Sequence, residues 1–221
     1  MTRIQLLSDT HSGKFAIDDS VDFVIHAGDI SNYGMKQRKP GLEWDNSIRS
    51  FEKSDKSIYW VPGNHDIGFK HDTVIKGGIN VMEKTANYGD ISIRGISLSV
   101  CYNAPYLVNH WDHMTASEDE ESKYFYIFLR EYADIVVSHS PPSGDIASEL
   151  KCGDIGSKYL LEYIYEYQPV LVVCGHVHEP FIREVWIGKT LVINVARISR
   201  VIDYESILNE RRNKTHCSGD S

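Results

Sequence analysis

Residues 170–178 read Val-Leu-Val-Val-Cys-Gly-His-Val-His, a short apolar run that stops at Gly175 and delivers His176 and His178. A run of this length, uninterrupted by polar residues and ended by glycine, predicts a buried strand of the kind found in α/β proteins. Residues capable of chemistry directly beyond such a strand mark a site, because loops held by a rigid scaffold carry function.

Working outward, the same arrangement recurs four times. Ile4 to Ser8 leads into Asp9-x-His11, Phe23 to His26 into Gly28-Asp29, Ile58 to Val61 into Gly63-Asn64-His65-Asp66, and Ile135 to Ser138 into His139. A single Asp-x-His or His-x-His pair is ordinarily solvated surface. Five strands in one chain that all end in metal-ligand types are not explained that way. Carboxylate, amide and imidazole donors suit manganese, iron, zinc, cobalt or nickel rather than a metal that prefers thiolate. Asp29 is the natural bridge, since a carboxylate shared by two cations about 3.5–4 Å apart keeps both in reach of one phosphate.

The segments between these strands fit an α/β chain. Trp44, Ile48 and Phe51 recur at helical spacing, as do Leu160, Leu161 and Ile164 in Ser157 to Tyr167. Ser117-Glu118-Asp119-Glu120 resembles a capping box ahead of a helix that carries Phe125, Phe128, Leu129 and Tyr132. Ile91 to Val100 alternates as one bent strand or a hairpin, with Gly95 at the bend. Phe181 to Ile187 and Thr190 to Val195 flank Gly188-Lys189, a hairpin turn, and the polar end from Arg211 is expected to fray. The expected division is one domain over 1–200 and a partly disordered C-terminal extension over 201–221.

With 221 residues, 42% hydrophobic and 24% charged, the chain has material for one sizeable core. Its net charge of −8 disfavours a protein that grips duplex DNA broadly, which needs a basic face. A small anionic substrate fits if bound cations supply the local positive charge. Cys101, Cys152, Cys174 and Cys217 are far apart and form no Cys-x-x-Cys pair, so reduced thiols in a cytoplasmic protein are expected. No signal peptide and no membrane-spanning run is expected.

The five motifs in this order resemble the calcineurin-like metallophosphoesterases, and the likeness spans nearly all of Ile4 to Ala196. It implies a four-layer αββα sandwich, two mixed sheets face to face with helices outside. It also implies that Asp9, His11, Asp29 and His178 hold one divalent cation, manganese in the first place, while Asn64, His139, His176 and the shared Asp29 hold a second. His65 then contacts the phosphate and assists the leaving group, oriented by Asp66. Residues 134–144 (DIVVSHSPPSG) and 169–179 (PVLVVCGHVHE) are similar to the metallophosphoesterase-domain-containing phosphodiesterases. That finer likeness implies a small phosphodiester substrate such as a cyclic nucleotide, attacked by hydroxide that two metals activate.

Phosphoprotein phosphatases carry an arginine soon after Gly-Asp, where this chain has Ile30-Ser31-Asn32-Tyr33-Gly34. Three other readings remain, a nuclease, a phosphomonoesterase and a non-catalytic protein-binding scaffold with the same fold; the retained His65 speaks against the scaffold, and the acidic balance against the nuclease. Tyr102, Tyr106, His110, Trp111 and His113 either stack on a nucleobase or pack a loop down. Arg197 either reaches the substrate phosphate or sits on the surface.

Overall fold

Apolar runs of four or five residues are too short for stable helices and long enough for strands, and strands dominate the result. The computed structural model describes residues 1–31, 44–66, 73–97, 99–100, 115–116, 131–149 and 153–216. In chain order the strands are β1 (Arg3–Leu7), β2 (Phe23–His26), β3 (Ser57–Trp60), β4 (Gly78–Asn80), β5 (Thr85–Tyr88), β6 (Ile91–Ile96), β7 (Ser99–Val100), β8 (Thr115–Ala116), β9 (Ile135–Ser138), β10 (Ser148–Glu149), β11 (Gly153–Asp154), β12 (Leu171–Cys174), β13 (Glu184–Ile187), β14 (Thr190–Asn194) and β15 (Ser199–Asp203). The helices are α1 (Trp44–Glu52), α2 (Lys158–Tyr167) and α3 (Tyr204–His216).

Two mixed sheets form the body. The first has the order β15-β1-β2-β3-β4, the second β13-β14-β12-β9-β6-β5, and two further strand pairs, β7-β8 and β10-β11, stand apart. In the first sheet β1 to β4 are parallel and β15 is antiparallel to β1; in the second β14, β12, β9 and β6 are parallel, with antiparallel strands at both edges. All five strands that precede a motif are therefore parallel members of a sheet, and their C-terminal ends are the ends that carry the motifs. Open α/β sheets place ligand crevices at such ends.

Alternation along the strands divides the apolar residues into two layers. Ile4 and Leu6 of β1, Phe23 and Ile25 of β2 and Tyr59 of β3 join the core that the second sheet fills with Ile135, Val137, Val172 and Val173. Leu7, Val24, Ile58 and Trp60 face the other way, against Phe51 and Ile48 of α1. On α2, Ser157 accepts a hydrogen bond from Leu160 N–H (2.9 Å), and Leu160, Tyr163 and Ile164 are buried. Leu161 is only half-buried and Tyr163 takes the inward position, its hydroxyl donating to Glu131 O (3.0 Å).

Several expectations are corrected. Ile91 to Val100 is not a hairpin on itself: β6 pairs antiparallel with β5 upstream and breaks only after Ile96. Gly95 lies inside β6, where a Cβ would collide with Val61 and Val81, so it allows close strand contact rather than a turn. The C-terminal segment is also part of the fold through His216: β15 pairs with β1, and Ile207 of α3 is buried. Arg211, expected to be frayed, donates to the carbonyls of Pro169 (2.8 Å), Lys189 (3.0 Å) and Gln168 (2.8 Å). The Gly188-Lys189 turn does close a hairpin, β13 with β14. The expected helix after Ser117, the aromatic loop from Tyr102 and the thiols of Cys101, Cys152 and Cys217 lie outside the described residues. Cys174 is buried, as a small strand-filling side chain. No helix among the described residues is long and apolar enough to cross a membrane.

Candidate metal centre

The loops after β1 and β2 run side by side beyond the sheet. Asp9 N–H donates to Gly28 O (2.9 Å), His11 N–H to Asp29 O (3.0 Å) and Ser12 N–H to Ile30 O (2.8 Å). Within the second sheet Gly175 N–H donates to His139 O (3.0 Å), and Arg197 N–H, beyond β14, donates to Ser8 O (3.2 Å) at the end of β1 in the first sheet. Asp9, His11, Ser12, Asp29, His176 and Arg197 all have φ between 46° and 67°. Left-handed backbone at non-glycine residues costs about 1–3 kcal/mol each and persists only where the surroundings enforce it.

One group of donors gathers on Asp9. Its Oδ1 lies 3.0 Å from His178 Nε2 and 3.8 Å from His11 Nε2, and the two ring nitrogens are 3.4 Å apart. Its Oδ2 accepts from Ser8 Oγ (2.6 Å) and His176 N–H (3.0 Å). Burial raises the Asp9 carboxyl, yet the hydrogen bond from His178 and the charge of His139 hold it below the usual carboxylate range.

A second group gathers on His139, which is fully buried. Its Nδ1 lies 2.8 Å from Ala27 O and must donate there, which leaves Nε2 directed at Asn64 Oδ1 (3.0 Å) and Asp29 Oδ1 (3.4 Å). Three electron-rich atoms thus face one point, where a proton or a cation would reconcile them. Burial disfavours a charged His139, but Asp29 overrides it and pushes the imidazole up to about 10. The same positive charge is what a divalent cation supplies, so the residues fit a metal. His176 stands beside this group, ring centroids 5.1 Å apart, and burial lowers it to about 4, leaving it neutral as a ligand must be.

Asp29 lies between the groups. Oδ1 faces His139 and accepts from His65 N–H (2.8 Å), whereas Oδ2 lies 3.8 Å from His11 Nε2 and 3.9 Å from His65 Nε2. The ligand-type atoms of Asp9, His11 and His178, of His11, Asp29 and His65, and of Asp9, Asp29 and His139 each lie within 4.8 Å of one another. Gly63 is needed here, because a Cβ would overlap the Asp29 carboxylate and come within 2.8 Å of the His139 ring.

The structure gives Asp66 other partners than the His65 ring expected for it. Its carboxylate is fully buried and accepts from the backbone N–H groups of Ile30 (3.0 Å), Ser31 (2.6 Å) and Gly63 (2.8 Å). It therefore clamps the Asp29 loop to the Asn64 loop; its link to His65 is the position of the shared backbone. Burial and the nearby Asp29 raise Asp66 to about 7.

Several contributors were absent from the sequence reading. Ser8 fixes the Asp9 carboxylate, and buried His26 places Nε2 3.0 Å from Thr10 Oγ1, under the Asp9–His11 loop. Arg183 donates to the carbonyls of His178 (2.7 Å) and Ala196 (3.1 Å). Ser8 and His26 stand at the strand ends themselves and Arg183 comes from a remote segment, so spacing gives no sign of these roles.

The sequence model of the calcineurin-like phosphoesterase family matches residues 2–180, and the chain belongs to that family. It is a phosphoester hydrolase by family, with candidate ligand clusters for divalent metal at its centre. Among known proteins it is similar to UPF0046 protein K07C11.7 of Caenorhabditis elegans, 25% identical over 216 residues, covering 90% of this chain and 70% of that protein. Among solved structures it is similar to TT1561 of Thermus thermophilus, with a TM-score of 0.63 at 14% identity over 93% of this chain and 96% of the other. A further crystal structure superposes with a TM-score of 0.66 at 13% identity, over 92% of this chain and 95% of its own. Both structural likenesses concern the fold.

Proposed function

We propose that this chain is a dinuclear metal-dependent phosphodiesterase acting on small diesters such as cyclic nucleotides. The observation that carries the reading is the Asp29 carboxylate, one oxygen turned to His139 and the other to His11. Asp9, His11, Asp29 and His178 would hold one cation, and Asp29, Asn64, His139 and His176 the other. Divalent cations so held act as Lewis acids on phosphoryl oxygens and make water nucleophilic near neutral pH.

The remaining work belongs to the side chains. His65 is 22% exposed at the mouth, with its ring edge-on to His11 at 5.0 Å between centroids. There it can hold a proton on Nε2 and give it to the departing alkoxide. Asp66 keeps the His65 loop in register with the Asp29 loop. A diester has one negative charge fewer than a monoester dianion and needs fewer cationic partners at the reacting phosphate.

The test compares kcat/KM for bis(p-nitrophenyl) phosphate, p-nitrophenyl phosphate, 2′,3′-cyclic AMP and single-stranded DNA with manganese bound. The diesters of nucleotide size should lead. A ten-fold preference for monoester or DNA, about 1.4 kcal/mol in transition-state binding, would reverse the assignment.

A further inference from the structure

Beside Asp9 and His11 opens a cavity of about 630 Å³ that the ligand groups do not fill. Its walls include Leu7, Phe15, Ala16 and Ile198, and its two cations are Lys14 and Arg197. A cavity of this size suits an organic ligand of nucleotide dimensions and exceeds what a phosphate alone requires.

Four other arginines are engaged within the protein. Arg94 pairs with Glu131, Arg200 with Glu184, and Arg183 and Arg211 are bound to backbone carbonyls. Neither the Arg197 guanidinium nor the Lys14 ammonium has a hydrogen bond or ion pair among the described residues, and both are exposed. They come from segments 183 positions apart in sequence, yet they line one space with Asp9 and His11. Arg197 is also held in left-handed backbone, φ 59°, by its bond to Ser8 O. In a chain of net charge −8, two cations lining one cavity beside the metal ligands make a local positive site that attracts an anion.

We infer that this cavity receives the organic part of the substrate and that Lys14 and Arg197 bind a second anionic group carried on it, such as a further phosphate of a nucleotide. The inference rests on the phosphodiesterase reading of the adjacent centre and narrows its substrate class. On this inference the reacting phosphoryl group goes to the metal ligands and the second anion to the two cations, with Phe15 and Ile198 as apolar lining of the same space. Phe15 is seated against Phe51 and His26, at 5.6 and 5.8 Å between ring centroids, so that wall is fixed from behind.

The experiment uses the manganese-loaded protein and the p-nitrophenyl ester of thymidine 5′-phosphate, with and without a 3′-phosphate. The expected ratio of kcat/KM in favour of the phosphorylated ester is about ten-fold, as charge-assisted contacts give. It should fall to below about two-fold in Lys14→Gln/Arg197→Gln and recover in part in Arg197→Lys, which keeps the charge but not the fork. A ratio near one in the unaltered protein, while bis(p-nitrophenyl) phosphate is hydrolysed, overturns this inference and leaves the phosphodiesterase reading standing. A ten-fold ratio that survives the double substitution overturns it as well. If no ester is hydrolysed, the phosphodiesterase reading fails, and equilibrium dialysis of thymidine 3′,5′-bisphosphate against metal-free protein decides the cavity separately. Binding that the double substitution weakens at least five-fold supports it, and equal binding by both proteins refutes it.

Discussion

The two halves of the centre share Asp29 but differ in their access to water. In the Asp9 half the side chains of His11 and His178 are 14% and 30% exposed, whereas in the other half His139 is wholly enclosed and already engaged with Ala27 O. The difference teaches that the two imidazoles beside Asp9 meet water and His139 does not, although Asp9 itself is buried and Asn64 and His176 are partly exposed. His139 is part of the core, and its position is tied to the packing around it through Ala27 O.

Removing the group common to both halves should have the largest effect. Asp29→Ala is expected to lower kcat/KM by about 10³-fold or more, since it takes charge from both clusters at once, and elemental analysis should find the protein depleted of both ions. One ion retained at full occupancy would show that the halves are independent. His65→Ala, next in size, should lower kcat by about 10²–10⁴-fold while metal content stays that of the parent, because on the proposed reading proton delivery is lost and no principal ligand is. Parallel loss of metal in the same preparation would make His65 a ligand.

Asp66→Asn probes the seam. The amide cannot accept all three N–H bonds that the carboxylate accepts, so about 1–3 kcal/mol of stability should be lost in urea unfolding, with activity lowered about 10–100-fold. Unchanged stability would mean that the clamp does not hold the loops. The smallest contrast concerns exchange: under brief chelation the ion of the Asp9 half should leave about ten-fold faster than the other, since both of its imidazoles meet water whereas His139 is buried. A single rate for both ions, followed by metal analysis over time, would erase the distinction drawn between the halves.

Much of the fold was legible because each of the five strand ends announces itself twice, by an apolar run and by the ligand types that follow. Asp9, Asp29, Asn64, His139 and His176 could be gathered from that pattern before any distance was known. The role of Asp66 could not, since a carboxylate next to a histidine in sequence gives no sign that its partners are backbone groups 35 and 36 positions away. β15 and α3 were underestimated because their stability comes from pairing with β1 and from Arg211 on distant carbonyls, while their own composition is polar. Gly95 looked like a bend because a glycine needed for close strand contact is indistinguishable, in one dimension, from one needed for a turn. The cavity of Lys14 and Arg197 exists only once β15 and β1 are neighbours.

That neighbour relation governs how the chain can assemble. β1 lies between β2, which follows within a score of residues, and β15, which pairs Arg3 with Asp203. During synthesis β1 can find one partner early, but its other edge stays open until residues 199–203 have emerged. Pairings of such long sequence separation form late and slowly. Until then the unpaired edge of β1 is a template for foreign strands, so the interval before β15 arrives is when this protein is most exposed to aggregation.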